Sequence, residues 1–325
     1  MNWRTDLKNS YFQLDDLLHA LKLNVEEVNA FTLLNNEFPF RVTKDYASRM
    51  IPKDPKDPLL LQVLPVRSEL EKVQDFDRDP VGELHQARHS SLLQKYSGRA
   101  LLITTGACAI NCRYCFRRVF PYGDVIGPDA MNKAIKIISN DKSLKEVILS
   151  GGDPLILDDE KLADIFDLLG PITHVKRIRI HSRLPIVLPS RITQSFIELM
   201  RDKRFETCLV VHVNHPNELD QRTTDALRRC KTNGLTVLNQ AVLLKNVNDK
   251  LETLVRLSET LFSAGVLPYY MHLLDRVAGA SHFEVTAQKS LELETQLRKC
   301  LPGYLMPAFV REVSGMASKT PIQYL

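Results

Sequence analysis

Six short apolar runs, rich in β-branched residues, constrain this chain more than any other feature. They begin at Ala100 ("ALLITT"), Glu146 ("EVILS"), Arg177 ("RIRIHS"), Cys208 ("CLVVHV"), Thr236 ("TVLNQ") and Leu267 ("LPYYMHLL"). After the first gap, successive starts fall roughly 30 residues apart, the pitch of a strand and its return helix in a parallel sheet. Helical periodicity fills the gaps, as in "DDEKLADIFDLLG" and "LETLVRLSETLFSAG". Each of these closes on glycine, a common helix stop. Six units predict an α/β fold, a partial (β/α)6 barrel over residues 96–305 and not a complete eightfold one. Residues 1–95 carry the amphipathic segments "LDDLLHALKL" and "VEEVNAFTLL", followed by proline-bearing and acidic loops. They predict an N-terminal helical region that packs on the barrel or covers it, with no catalytic constellation. Residues 306–325 form a short C-terminal segment.

In parallel α/β barrels the reactive groups sit at the carboxyl ends of the strands. Here those ends read "SGGDP" from Ser150, "HSR" from His181, "HVNHP" from His212, "NQ" at Asn239 and Gln240, and "HLLD" from His272 to Asp275. Singly, each reads as a loop hydrogen bonder. Five strand ends of this kind predict one polar site at the barrel mouth. Composition narrows the class of function. With 44% hydrophobic residues the chain can bury a large core, and a net charge of +4 argues against a nucleic-acid protein, whose basic excess is concentrated in a patch. The polar start "MNWRTDLKNSYFQLDD" is unlike a signal peptide, and no apolar run reaches the ~18–20 residues of a membrane span. A cytoplasmic protein is expected, in which disulfides are rare.

Directly after the first strand, "TTGACAINCRYCFRRVF" spaces Cys108, Cys112 and Cys115 as C-x3-C-x2-C. A structural zinc site needs four ligands, and His212 or His215 could supply the fourth. A redox pair would use Cys112 and Cys115 and leave Cys108 idle. Three thiolates on a short loop best suit a cubane iron–sulfur cluster with one iron free of protein ligands, open to a small molecule. Cys208, Cys230 and Cys300 are scattered and read as structural, since an isolated cysteine usually behaves as a small buried hydrophobe.

"CAINCRYC" after the first strand and "SGGDP" after the second resemble the radical S-adenosylmethionine superfamily. There the open iron chelates the methionine amino and carboxylate groups, and the glycine-rich segment leaves backbone near the amino group. Glycine suits that role because it lacks a Cβ. The C-terminal "SGMASKTP" resembles the glycine-rich loop that carries the pyridoxal phosphate lysine of lysine 2,3-aminomutases. In this chain Met316, Ala317 and Ser318 replace most of its glycines.

The resemblance spans roughly residues 55 to 325 and implies a set of roles. Cys108, Cys112 and Cys115 would hold the cluster. Ser150, Gly151, Gly152, Asp153, His212, Asn214 and Gln240 would lie on the adenosylmethionine side. Lys319 would carry pyridoxal phosphate and Arg99 would meet its phosphate. Arg117 falls where the family binds the substrate carboxylate, which a guanidinium can do bidentately. Asp275 and Glu312 fall at the two acids that hold the distal ammonium of the substrate. The family has aspartate at the second of these, so Glu312 is a departure. Lys250 stands where longer clostridial-type members have a cysteine of an intersubunit zinc site, so no zinc is expected.

The same resemblance implies an isomerase that converts L-α-lysine to (R)-β-lysine with a [4Fe–4S] cluster, S-adenosylmethionine and pyridoxal phosphate. The short form most resembles the bacterial members that make β-lysine for elongation factor P. That implies a functional link to this factor and its lysyl-transferring ligase, and an external electron donor. Two other readings stand beside it: a radical aminomutase for another amino acid, and a non-enzymatic iron–sulfur or zinc-binding interaction protein.

Overall fold

The computed structural model describes residues 2–28, 38–84, 91–201 and 204–325. Every run that the sequence marks as a strand is one: β2 (Arg99–Thr105), β3 (Glu146–Gly151), β4 (Arg177–Ser182), β5 (Glu206–Val211), β6 (Thr236–Leu243) and β7 (Leu267–Leu273). Three further strands extend the sheet. β1 (Leu92–Tyr96) pairs antiparallel with β2, β8 (Ala308–Arg311) pairs parallel with β7, and β9 (Thr320–Pro321) pairs antiparallel with β8. The order is β1 through β9 without a jump, so each parallel crossover lands on the neighbouring strand and the polar strand ends are gathered on one side. β3 shows why the parallel strands are continuous apolar runs: Val147, Ile148 and Leu149 are all buried, as expected when both faces of a sheet are covered.

The covering helices are α5 (Pro128–Asn140), α6 (Asp159–Leu169), α7 (Leu184–Val187), α8 (Gln194–Met200), α9 (Gln221–Thr232), α10 (Leu251–Ser263) and α11 (Ala287–Cys300). Four of them start on a side-chain cap that satisfies an otherwise orphaned N–H. Asp158 accepts from Lys161 N at 3.0 Å, Thr193 from Phe196 N at 3.1 Å, Asp220 from Thr223 N at 2.8 Å and Thr286 from Lys289 N at 3.3 Å. At the end of α10, Gly265 takes φ +84° and Val266 N reaches back to Leu261 O at 2.9 Å, the left-handed stop that the sequence marked. Gly170 ends α6 in right-handed geometry instead.

The N-terminal region is less helical than its pattern predicts. It holds α1 (Trp3–Lys8), α2 (Leu14–Leu21) and two single turns, α3 (Lys44–Ala47) and α4 (Pro58–Leu61), before ending in β1. Of the second amphipathic segment, residues 25–28 form a turn and the remainder lies outside the described residues. One apolar core joins this region to the barrel, with Leu17, Leu18, Tyr46 and Leu59 in the same cluster as Leu149, Ile180, Leu209 and Leu257. Each such fully buried leucine contributes roughly 1.5–3 kcal/mol. Among the described residues no helix is long and apolar enough to cross a membrane. All six cysteines are free thiols. Cys230 is buried and Cys208 half-buried, but Cys300 is exposed at the end of α11, so the reading of it as a buried hydrophobe does not hold.

Candidate active site

At the carboxyl ends of β2 to β7 lies a cavity of about 320 Å³. Its walls bring together residues far apart in the chain: Cys108, Cys112 and Cys115, Ser150 to Asp153, His212, Gln240, Asp275, Glu312 and Lys319, with Arg99 and Arg117.

The cysteine loop follows β2 and is held from outside the barrel. Asn111 N donates to Arg41 O at 3.0 Å and Arg113 N to Gln62 O at 2.9 Å, while Arg41 Nη1 donates to Cys108 O at 3.0 Å. Three arginines interleave with the cysteines, and each has a buried acid. Arg113 and Arg118 converge on Glu69 at 2.5 and 2.6 Å. Arg117 is gripped by Glu83, Nε to Oε2 at 2.7 Å and Nη2 to Oε1 at 2.9 Å. Burial and mutual repulsion push the Cys108 thiol well up, and burial drives Cys115 to about 11. Three thiolates here therefore need positive charge among them, which iron would supply. Among the described residues no group is gathered tightly enough for a single metal ion.

The glycine pair packs against that loop. A Cβ on Gly152 would lie 2.4 Å from Ala107 O, and one on Gly151, which has φ +122°, would lie 2.5 Å from Thr105 O. The close approach allowed by these glycines is thus to the cysteine loop, fixed by Gly152 N to Thr105 O at 2.7 Å and Asp153 N to Ala107 O at 2.8 Å. The Asp153 carboxylate braces the turn after β4, accepting from Ser182 Oγ at 2.6 Å, Arg183 N at 2.8 Å and Leu184 N at 2.9 Å.

Three histidines at strand ends, His272 buried and His181 and His212 half-buried, are neutral at pH 7. Burial lowers His212 to about 3 and holds His181 and His272 well below the usual imidazole range. His212 Nε2 lies 3.0 Å from Tyr114 OH, whereas Nε2 of both His181 and His272 has no partner among the described residues. Gln240 reaches the cavity and Arg99 lies over the Tyr96 ring at 4.6 Å. Asn214 does not reach it. Fully buried behind the wall, it donates to Gln62 and Tyr114 and accepts from Val242 N at 2.8 Å.

Lys319 enters the cavity because β8 and β9 form a hairpin. Glu312 directly follows β8 and Lys319 directly precedes β9, so the two face each other at 2.7 Å across its base. Glu312 also accepts from Tyr96 OH at 2.6 Å and pairs with Lys95 at 3.4 Å, and these cations with the hydroxyl, against the opposing effect of its burial, lower it to about 2. Asp275 is the opposite case. It is half-buried with its Oδ1 shielded from solvent and without a partner among the described residues, and desolvation raises it to about 7. One acid of the pair is therefore engaged and the other is free to take a cation.

Glu83, Lys95 and Tyr96 are the site residues that sequence reasoning missed. Lys95 bridges Glu83 at 3.2 Å and Glu312 at 3.4 Å, tying Arg117 to Lys319 through a chain of charges. A signal existed. Three arginines within six residues of a buried cysteine loop require counter-acids, and the N-terminal region is where acids remained unassigned.

A model of the radical SAM superfamily matches residues 102–258. Two proteins named L-lysine 2,3-aminomutase are similar along nearly the whole chain. The one from Escherichia coli (strain K12) is 42% identical over 99% of this chain and 94% of its own length; the one from Haemophilus influenzae is 41% identical over 98% and 95%. Among solved structures, a radical SAM methyltransferase from Sphaerobacter thermophilus shares the fold, with TM-score 0.51 and 17% identity over 68% of each chain.

Proposed function

The chain belongs to the L-lysine 2,3-aminomutase family of radical SAM enzymes, and from that premise we infer that it moves the α-amino group of L-lysine to the β-carbon, giving (R)-β-lysine. A [4Fe–4S] cluster, S-adenosylmethionine and pyridoxal phosphate are the cofactors of this family. When bound, they supply a carbon-centred radical for hydrogen abstraction and a carrier for the migrating nitrogen. The observation that carries the reading is that the three-cysteine loop, the hairpin lysine and an unpaired half-buried acid face one cavity.

Each residue has a part. Cys108, Cys112 and Cys115 hold the cluster. Gly151 and Gly152 let the strand end lie flat against their loop, and Ser150, Gln240 and His212 line the adenosylmethionine side. Asp153 serves that side by bracing the turn after β4, and Asn214 by fixing the wall. Lys319 binds pyridoxal phosphate and Arg99 takes its phosphate. Glu83 occupies Nε and one Nη2 hydrogen of Arg117, and Nη1 donates to Ser150 Oγ at 3.1 Å and Gly151 O at 3.4 Å, so the substrate carboxylate would take the remaining Nη2 hydrogen and displace the longer of the Nη1 contacts. Asp275 takes the distal ammonium, and Glu312, paired with Lys319, Lys95 and Tyr96, supports it from behind. Fixing both ends of the substrate aims one C–H bond at the radical, and orientation carries much of the selectivity.

Supply of β-lysine for elongation factor P and its ligase, with electrons from an external donor, is the fuller reading and rests on the sequence resemblance. A cytoplasmic location suits six free thiols. Borohydride reduction of the protein with pyridoxal phosphate, then peptide mapping, tests the central assignment. The adduct is expected on Lys319, and an adduct at another lysine would overturn it.

A further inference from the structure

A second polar cluster is buried beside Cys112, centred on an arginine to which no role is given above. Its centre is Arg183, just after β4. Nη2 meets Gln62 Oε1 at 2.7 Å, Glu218 Oε2 at 3.1 Å and Tyr46 OH at 3.2 Å. Nη1 meets Tyr114 OH at 2.6 Å and the Cys112 sulfur at 2.6 Å. The guanidinium cannot swing away. Asp153 anchors its backbone N–H, and Glu218 is itself fixed by Asn214 N at 3.0 Å, His215 N at 3.1 Å and Gln62 Nε2 at 3.1 Å. Arginine stays protonated even when buried. The charged groups that touch the Arg183 guanidinium are the Glu218 carboxylate and the cysteine sulfur, with the Asp153 carboxylate on its backbone and Arg49 on the Tyr46 ring further out. Joining the N-terminal region to the barrel would need only the Tyr46 and Gln62 contacts. The Nη1 contact with Cys112 needs another reason.

We propose that Arg183 is a positioning residue that raises the reduction potential of the iron–sulfur cluster by donating through Nη1 to the sulfur of Cys112. This rests on the reading of Cys112 as a cluster ligand. The step concerned is the uptake of one electron by the cluster from an external low-potential reductant, and no bond at Arg183 forms or breaks. Reduction adds negative charge to the cluster and its thiolates. A fixed hydrogen-bond donor and cation at one sulfur, in a site of low dielectric, favours that charged state. Glu218 acts in the opposite sense by neutralising part of the guanidinium. Loss of the donor therefore makes the cluster harder to reduce, and loss of the opposing carboxylate makes it easier.

The test is a redox titration of the full-length, anaerobically reconstituted protein without adenosylmethionine or lysine. The reduced cluster is read by electron paramagnetic resonance, with iron and sulfide content measured alongside. Arg183→Gln is expected to shift the one-electron equilibrium at least tenfold against reduction, ~59 mV more negative. Glu218→Gln is expected to shift it the other way, with Arg183→Lys lying between Arg183→Gln and the native protein. A residue that only stabilised the fold would not give shifts of opposite sign. Unchanged potentials in fully loaded variants, or shifts of the same sign, overturn the proposal. If Arg183→Gln binds no iron, Glu218→Gln alone decides, and no positive shift there is contrary. A Cys112→Ala protein that keeps four irons would overturn the ligand reading instead, which separates the two failures.

Discussion

Asp275 is half-buried with a shielded Oδ1 that has no partner among the described residues, and that arrangement makes two predictions of opposite sign. Its ordinary value of 3.8 is raised to about 7 in the fold. Between those values the folded chain holds the extra proton, so stability falls as pH rises through that window and the deficit persists above 7. At about 1.36 kcal/mol per pH unit, Asp275→Asn should stabilise the apoprotein at pH 8 by on the order of 4 kcal/mol, and by much less at pH 5. Denaturant unfolding at the two pH values reads the difference. The same variant should lose lysine turnover by 100-fold or more, while native turnover should rise with pH through about 7. Equal stability at both pH values would show that the acid is not held unpaired. Glu83 makes the second residue-scale case. Removing one partner of a buried ion pair leaves the other charge uncompensated, and Glu83→Gln should cost about 3–5 kcal/mol. It should also raise KM for lysine more than it lowers kcat, because Arg117 loses its anchor. The cysteines and Lys319 were legible in the chain because their spacing or their neighbours are unusual. Glu83 was not, since one acid in "DPVGE" looks like any solvated acid.

Among the elements, the six core strands could be read because each is a short β-branched or apolar run and, after the first gap, their starts recur at one pitch. The β8–β9 hairpin could not: a four-residue and a two-residue strand carry no usable period. Yet that hairpin is what sets Glu312 opposite Lys319. The glycine segment was legible as a close approach, but not as an approach to the cysteine loop. Gly152→Ala tests that contact. A Cβ 2.4 Å from Ala107 O forces the backbone of β3 and the loop apart. Iron bound per chain should drop to well under half of the native level, with the circular dichroism of the apoprotein little changed. Native iron content in Gly152→Ala would contradict this role for the glycines.

Taken whole, the described residues share a main apolar core running from Trp3 to Ile322, with two smaller clusters around Tyr114 and Phe120. The N-terminal region, expected to pack or cover without chemistry, supplies the acids and carbonyls that hold the cysteine loop. This was not legible because the contacts are far apart in the chain and leave no local pattern, as with Glu69 and Arg113, 44 residues apart. Glu69→Ala should therefore cost about 3–5 kcal/mol and lower cluster retention together, with thermal unfolding remaining a single transition. Acid should act on the whole molecule through the depressed carboxylates. Glu83 and Glu69 are held below the usual range and Glu312 at about 2. Their contribution is fully present above the unfolded value near 4.5, and it is lost as pH falls from there toward about 2.

The most direct measurement is product formation by the anaerobically reconstituted protein, given adenosylmethionine, a strong reductant, pyridoxal phosphate and L-lysine. Derivatised β-lysine is followed by mass spectrometry, with Lys319→Ala and Asp275→Ala in parallel. β-Lysine is expected from the native chain, and none above background from either variant. Deoxyadenosine without β-lysine would leave the radical chemistry standing and contradict the assignment of lysine as the substrate.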